Sequence, residues 1–280
     1  MGLRDQAKSD IVRHVRTMFN DTARGEQPVA RSDDALFPPS SMIWRVHGDV
    51  ASMMVGGVSA LLLQMLHPAV LAGVWDHSNF RTDMLGRLRR TARFIAVTTY
   101  GRHTDAEAAM DRVRSVHRHV SGVLPDGTTY RADDPALLAW VHISEAWCFL
   151  AAWQRYGNHR LTLAEADRYF DEFAGIGVAL GADPVPRDRT ATGHALQMAR
   201  PHLVADARTK EVARLVLGQS PANPLAIPVQ RFVMQAAVDL LPAWAREMHR
   251  LPASPPLARP FVRAGTLQLA RTLRWAFKEK

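Results

Sequence analysis

The chain has 280 residues, 47% of them hydrophobic, enough to bury a core of its own. Its 35 Lys and Arg outnumber 27 Asp and Glu for a formal charge of +8, yet the arginines are scattered singly through helical patterns, without basic blocks or interleaved aromatics, which argues against nucleic-acid binding. One cysteine, Cys148, excludes an intramolecular disulfide and any cysteine-built zinc or iron–sulfur site, and fits a reducing cytoplasm.

The N-terminus begins an amphipathic helix that runs to about Phe19 and has no apolar signal core. Residues 21–40, rich in Arg, Gly, Pro, Ser and Asp, read as a connector ending in Phe37-Pro-Pro-Ser. Residues 1–39 are therefore set apart as helix and linker, 40–250 as the main domain, and 251–280 as a C-terminal helix packing back on it. Between Val50 and Trp75 the only titratable side chain is His67, a run long enough to raise the question of a membrane span. Pro68 divides it into two helices, and Gly56-Gly57 would admit a close neighbour or a flat cofactor, so a buried central helix is expected. His67 and His77 would either flank a pocket or serve as hydrogen-bonded structural histidines.

Thr82–Gly122 holds two consecutive helical segments. In the first, Met84, Leu88, Thr91 and Ile95 recur at helical spacing with Arg87 at the edge of that stripe. In the second, Thr104-Asp-Ala-Glu107 has the spacing of a capping box, and Met110, Val113, His117 and Val120 form a stripe in which His117 replaces an aliphatic residue. His119 turns with Arg112 and Ser115 towards the wetter side. Spacing alone leaves His117 open, as a ligand or as a core histidine bonded to a carbonyl.

Asp126-Gly127 predicts a turn, and Asp134-Pro135 the cap and first residue of a long buried helix. There Leu138, Val141, Glu145, Cys148 and Ala152 share one stripe. A buried Glu145 has to be paired, protonated or functional, and pairing with an arginine from another helix is the expected outcome. Cys148 reads as a packed thiol. Thr162-Leu-Ala-Glu165 opens a further helix, Asp183-Pro-Val-Pro186 breaks it, and helices near 190–217, 228–249 and 258–277 complete an all-α chain. There is no persistent strand alternation, no phosphate-binding glycine loop and no HExxH.

In order along the chain stand Trp44-Arg45, Gln64-Met-Leu-His67-Pro68-Ala-Val, Asp76-His77-Ser78, Arg87-Leu-Arg-Arg90-Thr91, Tyr100-Gly101, Val113-Arg-Ser-Val-His117, Gly127-Thr-Thr-Tyr130-Arg131-Ala132-Asp133-Asp134-Pro135 and Trp140-Val141-His142. Their order and spacing resemble the rubber oxygenase (latex-clearing protein) and MpaB-type oxygenase family over roughly residues 40–250. That resemblance implies a single helical bundle-like domain with a haem pocket, binding haem b through one proximal histidine and using dioxygen to attack a hydrophobic, isoprenoid or olefinic substrate. By position His117 corresponds to the iron ligand, and Arg87 and Thr91 to the arginine and threonine of the haem-side motif.

Where rubber-cleaving relatives carry a lysine before the motif threonine, this chain has Arg90. A guanidinium has no lone pair to give iron, so the resemblance implies either a donor to bound oxygen, water or a propionate, or an outward surface charge. In both cases the ferric haem would lack an internal amine ligand. The alternative reading is a helical protein without turnover, haem-binding or attached peripherally to a membrane.

Overall fold

Helices form where apolar periodicity gives a face to bury, and side chains cap several of them, Asp49 at Val50–Gln64 and Asp134 at Pro135–Tyr156 among them. The computed structural model describes residues 2–21, 25–219 and 226–278, and among them the chain is almost wholly helical. The first helix, α1 (Leu3–Phe19), is followed by the connector and then by α2 (Met42–His47), α3 (Val50–Gln64), α4 (Pro68–His77), α5 (Met84–Tyr100) and α6 (His103–His117). A hairpin of β1 (Ser121–Val123) and β2 (Thr129–Arg131) precedes α7 (Pro135–Tyr156), α8 (Leu163–Leu180), α9 (Arg189–Ala199), α10 (Ala207–Leu217), α11 (Ile227–Leu240), α12 (Ala243–His249) and α13 (Arg259–Phe277). Gly127, at φ 88°, takes the left-handed turn position that joins the two antiparallel strands.

The expected all-α fold is present, with this short hairpin added to it. Two expected helices divide: residues 190–217 become α9, a 3₁₀ turn at Arg200–His202 and α10, and residues 228–249 become α11 and α12. Pro201 and Pro242 stand at these breaks, each without the N–H that a continuous helix would use.

α3 and α7 form the centre. A Cβ on Gly56 would lie 3.0 Å from Phe149 Cδ1 and 3.1 Å from the Cys148 carbonyl oxygen, so this glycine sets how closely the two helices approach. Around the contact Leu62, Leu63, Leu66, Phe149 and Tyr156 are almost fully buried. Their burial supplies the main drive for folding, at about 25 cal/mol per Å² of apolar surface removed from water. The pair α3 and α4 bends by 103° at Pro68. The broken end is satisfied from other elements: Trp140 Nε1–H donates to the Gln64 carbonyl at 3.2 Å, and the Leu66 carbonyl accepts from Val204 N–H at 2.8 Å.

α13 closes the bundle against α1, α3 and α11. Its Arg274 donates through Nε to Asp49 Oδ2 at 2.6 Å and through Nη2 to the Tyr156 carbonyl. Asp49 is also the cap of α3, accepting from Ser52 N–H at 2.8 Å. α7 is long and apolar enough to cross a membrane, and 67% of that stretch is buried inside the protein.

Candidate functional site

α5 and α6 run beside each other and bring the arginine motif and His117 into one region. Asp83 caps α5, its carboxylate accepting from Gly86 N–H at 2.8 Å. α6 starts differently from expectation. Its cap is Arg102, with no side-chain hydrogen bond, because the His103 N–H goes to the Asp34 carbonyl of the connector at 2.6 Å. Thr104 thereby falls inside the helix, and Glu107 pairs with His103 at 3.2 Å, so the expected Thr104–Glu107 capping box does not form.

His117 ends α6 and is half-buried. Its imidazole has no hydrogen-bond partner among the described residues. Burial holds its pKa below the ordinary histidine value; Asp133 pulls it up and Arg87 pushes it down. Arg87 acts on His117 through its charge, and the packing of α5 against α6 brings the two candidate residues into one neighbourhood. Arg87 is half-buried and, among the described residues, has neither a counter-ion nor a hydrogen bond to its guanidinium; burial and then Arg90 lower its pKa. Asp133, which sequence reasoning did not single out, is engaged bidentately by Arg131 at 2.9 and 2.8 Å and so offers His117 only a partly neutralised charge.

The other motif residues are placed farther outward. Thr91, expected on the interior stripe, is exposed, and its hydroxyl donates back to the Arg87 carbonyl at 3.3 Å. Arg90 takes the outward alternative, 3.4 Å from both Asp83 Oδ2 and Asn79 Oδ1, where it ties α5 to the preceding turn. His119 is exposed and bonds the Ser115 carbonyl through Nδ1 at 2.8 Å.

His67 and His77 stand at opposite ends of α4 and do not flank one pocket. His77 bonds the Ser121 carbonyl at 3.0 Å, as a structural histidine should, but the buried Nδ1 of His67 has no partner among the described residues. Glu145 departs from expectation too. Its contact is the Gln64 side chain, with no arginine at hand among the described residues, and burial pushes its carboxyl up to about 7. Cys148 is the packed thiol expected, its Sγ 3.7 Å from Ser59 Oγ.

One buried polar chain was not legible from spacing. His47 Nδ1 lies 2.9 Å from Thr99 Oγ1, and Nε2 lies 3.1 Å from the Tyr169 hydroxyl. The Thr99 hydroxyl gives its only proton to the Ile95 carbonyl at 2.7 Å, so Nδ1 carries the imidazole hydrogen and Nε2 accepts from Tyr169. Burial depresses the His47 pKa to about 3, which keeps that tautomer neutral. The chain joins α2, α5 and α8 and fixes the end of α5 beyond the arginine motif.

Across residues 44–275 the chain matches the family described as ER-bound oxygenase mpaB/B'/Rubber oxygenase, catalytic domain. It belongs to that family. The matched segment covers most of the chain, including every motif residue above, so the rubber oxygenase/MpaB assignment is that of an oxygenase-type catalytic domain. Comparisons with curated proteins and with solved structures return no match.

The residues present are compatible with haem. A neutral imidazole without a protein partner can give a lone pair to iron, and a half-buried guanidinium without a carboxylate suits a propionate. No group of three or more His, Cys, Asp or Glu able to hold a metal occurs among the described residues, and iron held by a porphyrin needs none. A solvent-open depression of about 530 Å³, lined by Gln197, Arg200, Pro201, Trp244, Glu247 and Met248, contains none of these residues.

Proposed function

We propose that this member of the rubber oxygenase/MpaB family is a haem b-dependent oxygenase acting with dioxygen on a hydrophobic, isoprenoid or olefinic substrate. The observation that carries the reading is the pairing of His117 with Arg87, two electrostatically coupled side chains that lack protein hydrogen-bond partners among the described residues. Haem would supply the redox-active iron at which dioxygen is activated.

The protein's own part follows from its side chains. His117, neutral at pH 7, presents a ring nitrogen as iron ligand. Arg87 would hold a propionate through its fixed fork of N–H donors and, being cationic, opposes protonation of His117. Thr91 stands one turn from Arg87 at the rim, and Arg90 holds α5 from outside. Leu88 and Ile95 carry the apolar side of α5, while Met110 lies buried on α6, and these exclude water from an apolar substrate.

The test is a visible spectrum of protein purified from haem-supplemented cells, combined with histidine variants. Wild type and His119→Ala should show a stoichiometric Soret band. His117→Ala should lose it while retaining its far-ultraviolet circular dichroism. Full haem content in His117→Ala would reject the assignment.

A further inference from the structure

From Met248 to Lys278 the chain contains no Asp or Glu, but it carries Arg250, Arg259, Arg263, Arg271, Arg274 and Lys278. Arg274 is occupied inside the bundle by Asp49. The outer face of α13 presents a different chemistry. Leu257, in the turn leading into the helix, is 87% exposed, and Phe261, one turn later, is 72% exposed. Such exposure is large for two neighbouring apolar side chains on one helical face.

Helical spacing continues this face through Ala264, Gln268 and Arg271 to Trp275. Ala264, Gln268 and Arg271 are exposed. Trp275 is overlain by Arg4 at 5.8 Å and Lys8 at 5.4 Å from α1, which packs beside α13. Arg259 and Arg263 are exposed too, but each is two residues from Phe261 and so turned about 160° away round the helix, and Arg259 donates through Nε to the Ser254 carbonyl at 2.9 Å. From Leu257 to Trp275 the stripe spans roughly 27 Å at 1.5 Å per helical residue.

We propose that this face is a docking surface for an anionic lipid bilayer, with Leu257 and Phe261 entering the interface and Arg271, Arg4 and Lys8 meeting the headgroups. Charge decides for a lipid surface over a second copy of this chain. A second copy would set one acid-free arginine face against a molecule of the same net positive charge, whereas anionic headgroups complement it along its length. Aromatic and leucine side chains between arginines on a surface helix also form the pattern that seats a helix at the headgroup boundary. The inference does not depend on the haem reading.

The experiment is co-sedimentation of the full chain with vesicles of phosphatidylcholine alone and of 70% phosphatidylcholine with 30% phosphatidylserine. Binding is expected to the mixed vesicles only, and to fall at least tenfold between 50 and 500 mM salt, roughly as screening shortens the Debye length. Leu257→Ser with Phe261→Ser, and separately Lys8→Gln with Arg271→Gln, should each reduce partition about tenfold. Met198→Ser, which removes an exposed apolar side chain elsewhere, should leave it unchanged. Absence of binding by the folded wild type, or equal binding by all variants, overturns the proposal. So does a concentration-dependent dimer in light scattering that Phe261→Ser abolishes, since the face would then belong to a second copy.

Discussion

His47 shows how one buried side chain can set the geometry of a site it does not enter. Both ring nitrogens are used, one by Thr99 on α5 and one by Tyr169 on α8, and the ring stacks edge-on against Phe149 at 5.4 Å and Phe173 at 5.1 Å. Tyr169→Phe removes a single oxygen and strands Nε2 in a fully buried place. We expect a loss of about 1–3 kcal/mol in unfolding free energy, measured by urea titration at pH 7. His119→Phe, at an exposed residue, should change stability by less than about 0.5 kcal/mol. Arg87 is the contrasting residue, a half-buried cation with no carboxylate partner among the described residues, a gap that the proposed propionate would fill.

Among the elements, α3 and α7 make the most extensive contact, and the two adjacent glycines of α3 are not equivalent. Around Gly56 the partner backbone is too near for a Cβ to be added without movement, whereas a Cβ at Gly57 meets nothing within 4 Å. Gly56→Leu should therefore lower stability by about 2–3 kcal/mol through overpacking. Gly57→Ala should raise it by about 0.5–1 kcal/mol through helix propensity. Thermal unfolding of the two variants side by side checks both signs.

The sequence named helices most reliably where the cap was local. Thr162 and Glu165 cap α8 reciprocally, and Asp134 caps α7, as their spacing requires. It misled at Thr104, where a carbonyl from the distant connector claimed the first donor of α6, a contact no local pattern contains. For the same reason the His47–Tyr169 bond, between residues 122 positions apart, was invisible to periodicity, while His117 could be singled out because its stripe and its family motif coincide.

At the scale of the whole molecule, buried titratable groups pull stability against pH in opposite directions. His47 and His142 have folded pKa values depressed to about 3 and about 4, so their contribution is complete above the unfolded value of 6.5 and is lost as pH falls through that window. Glu145 is raised from 4.5 to about 7, so its contribution is complete below 4.5 and is lost as pH rises towards 7. Glu145→Gln keeps a side-chain amide facing Gln64 and removes the second effect. It should raise unfolding free energy by on the order of 2 kcal/mol at pH 8, and by much less at pH 4.5, in urea titrations at the two values. Equal gains at both pH values would show that folding does not raise the Glu145 pKa.

The ion pair between Asp49 and Arg274 joins residues 225 positions apart, at the start of the central helix and near the end of the chain. On the ribosome, Asp49 emerges long before its partner exists. Until α13 is made, the cap of α3 holds a carboxylate, 7% exposed in the finished protein, with no guanidinium to neutralise it. The first turn of α3 thus waits on synthesis of α13, and a chain lacking the residues from 259 on would keep the hydrophobic pattern of its innermost helix but lack the charge that settles that turn.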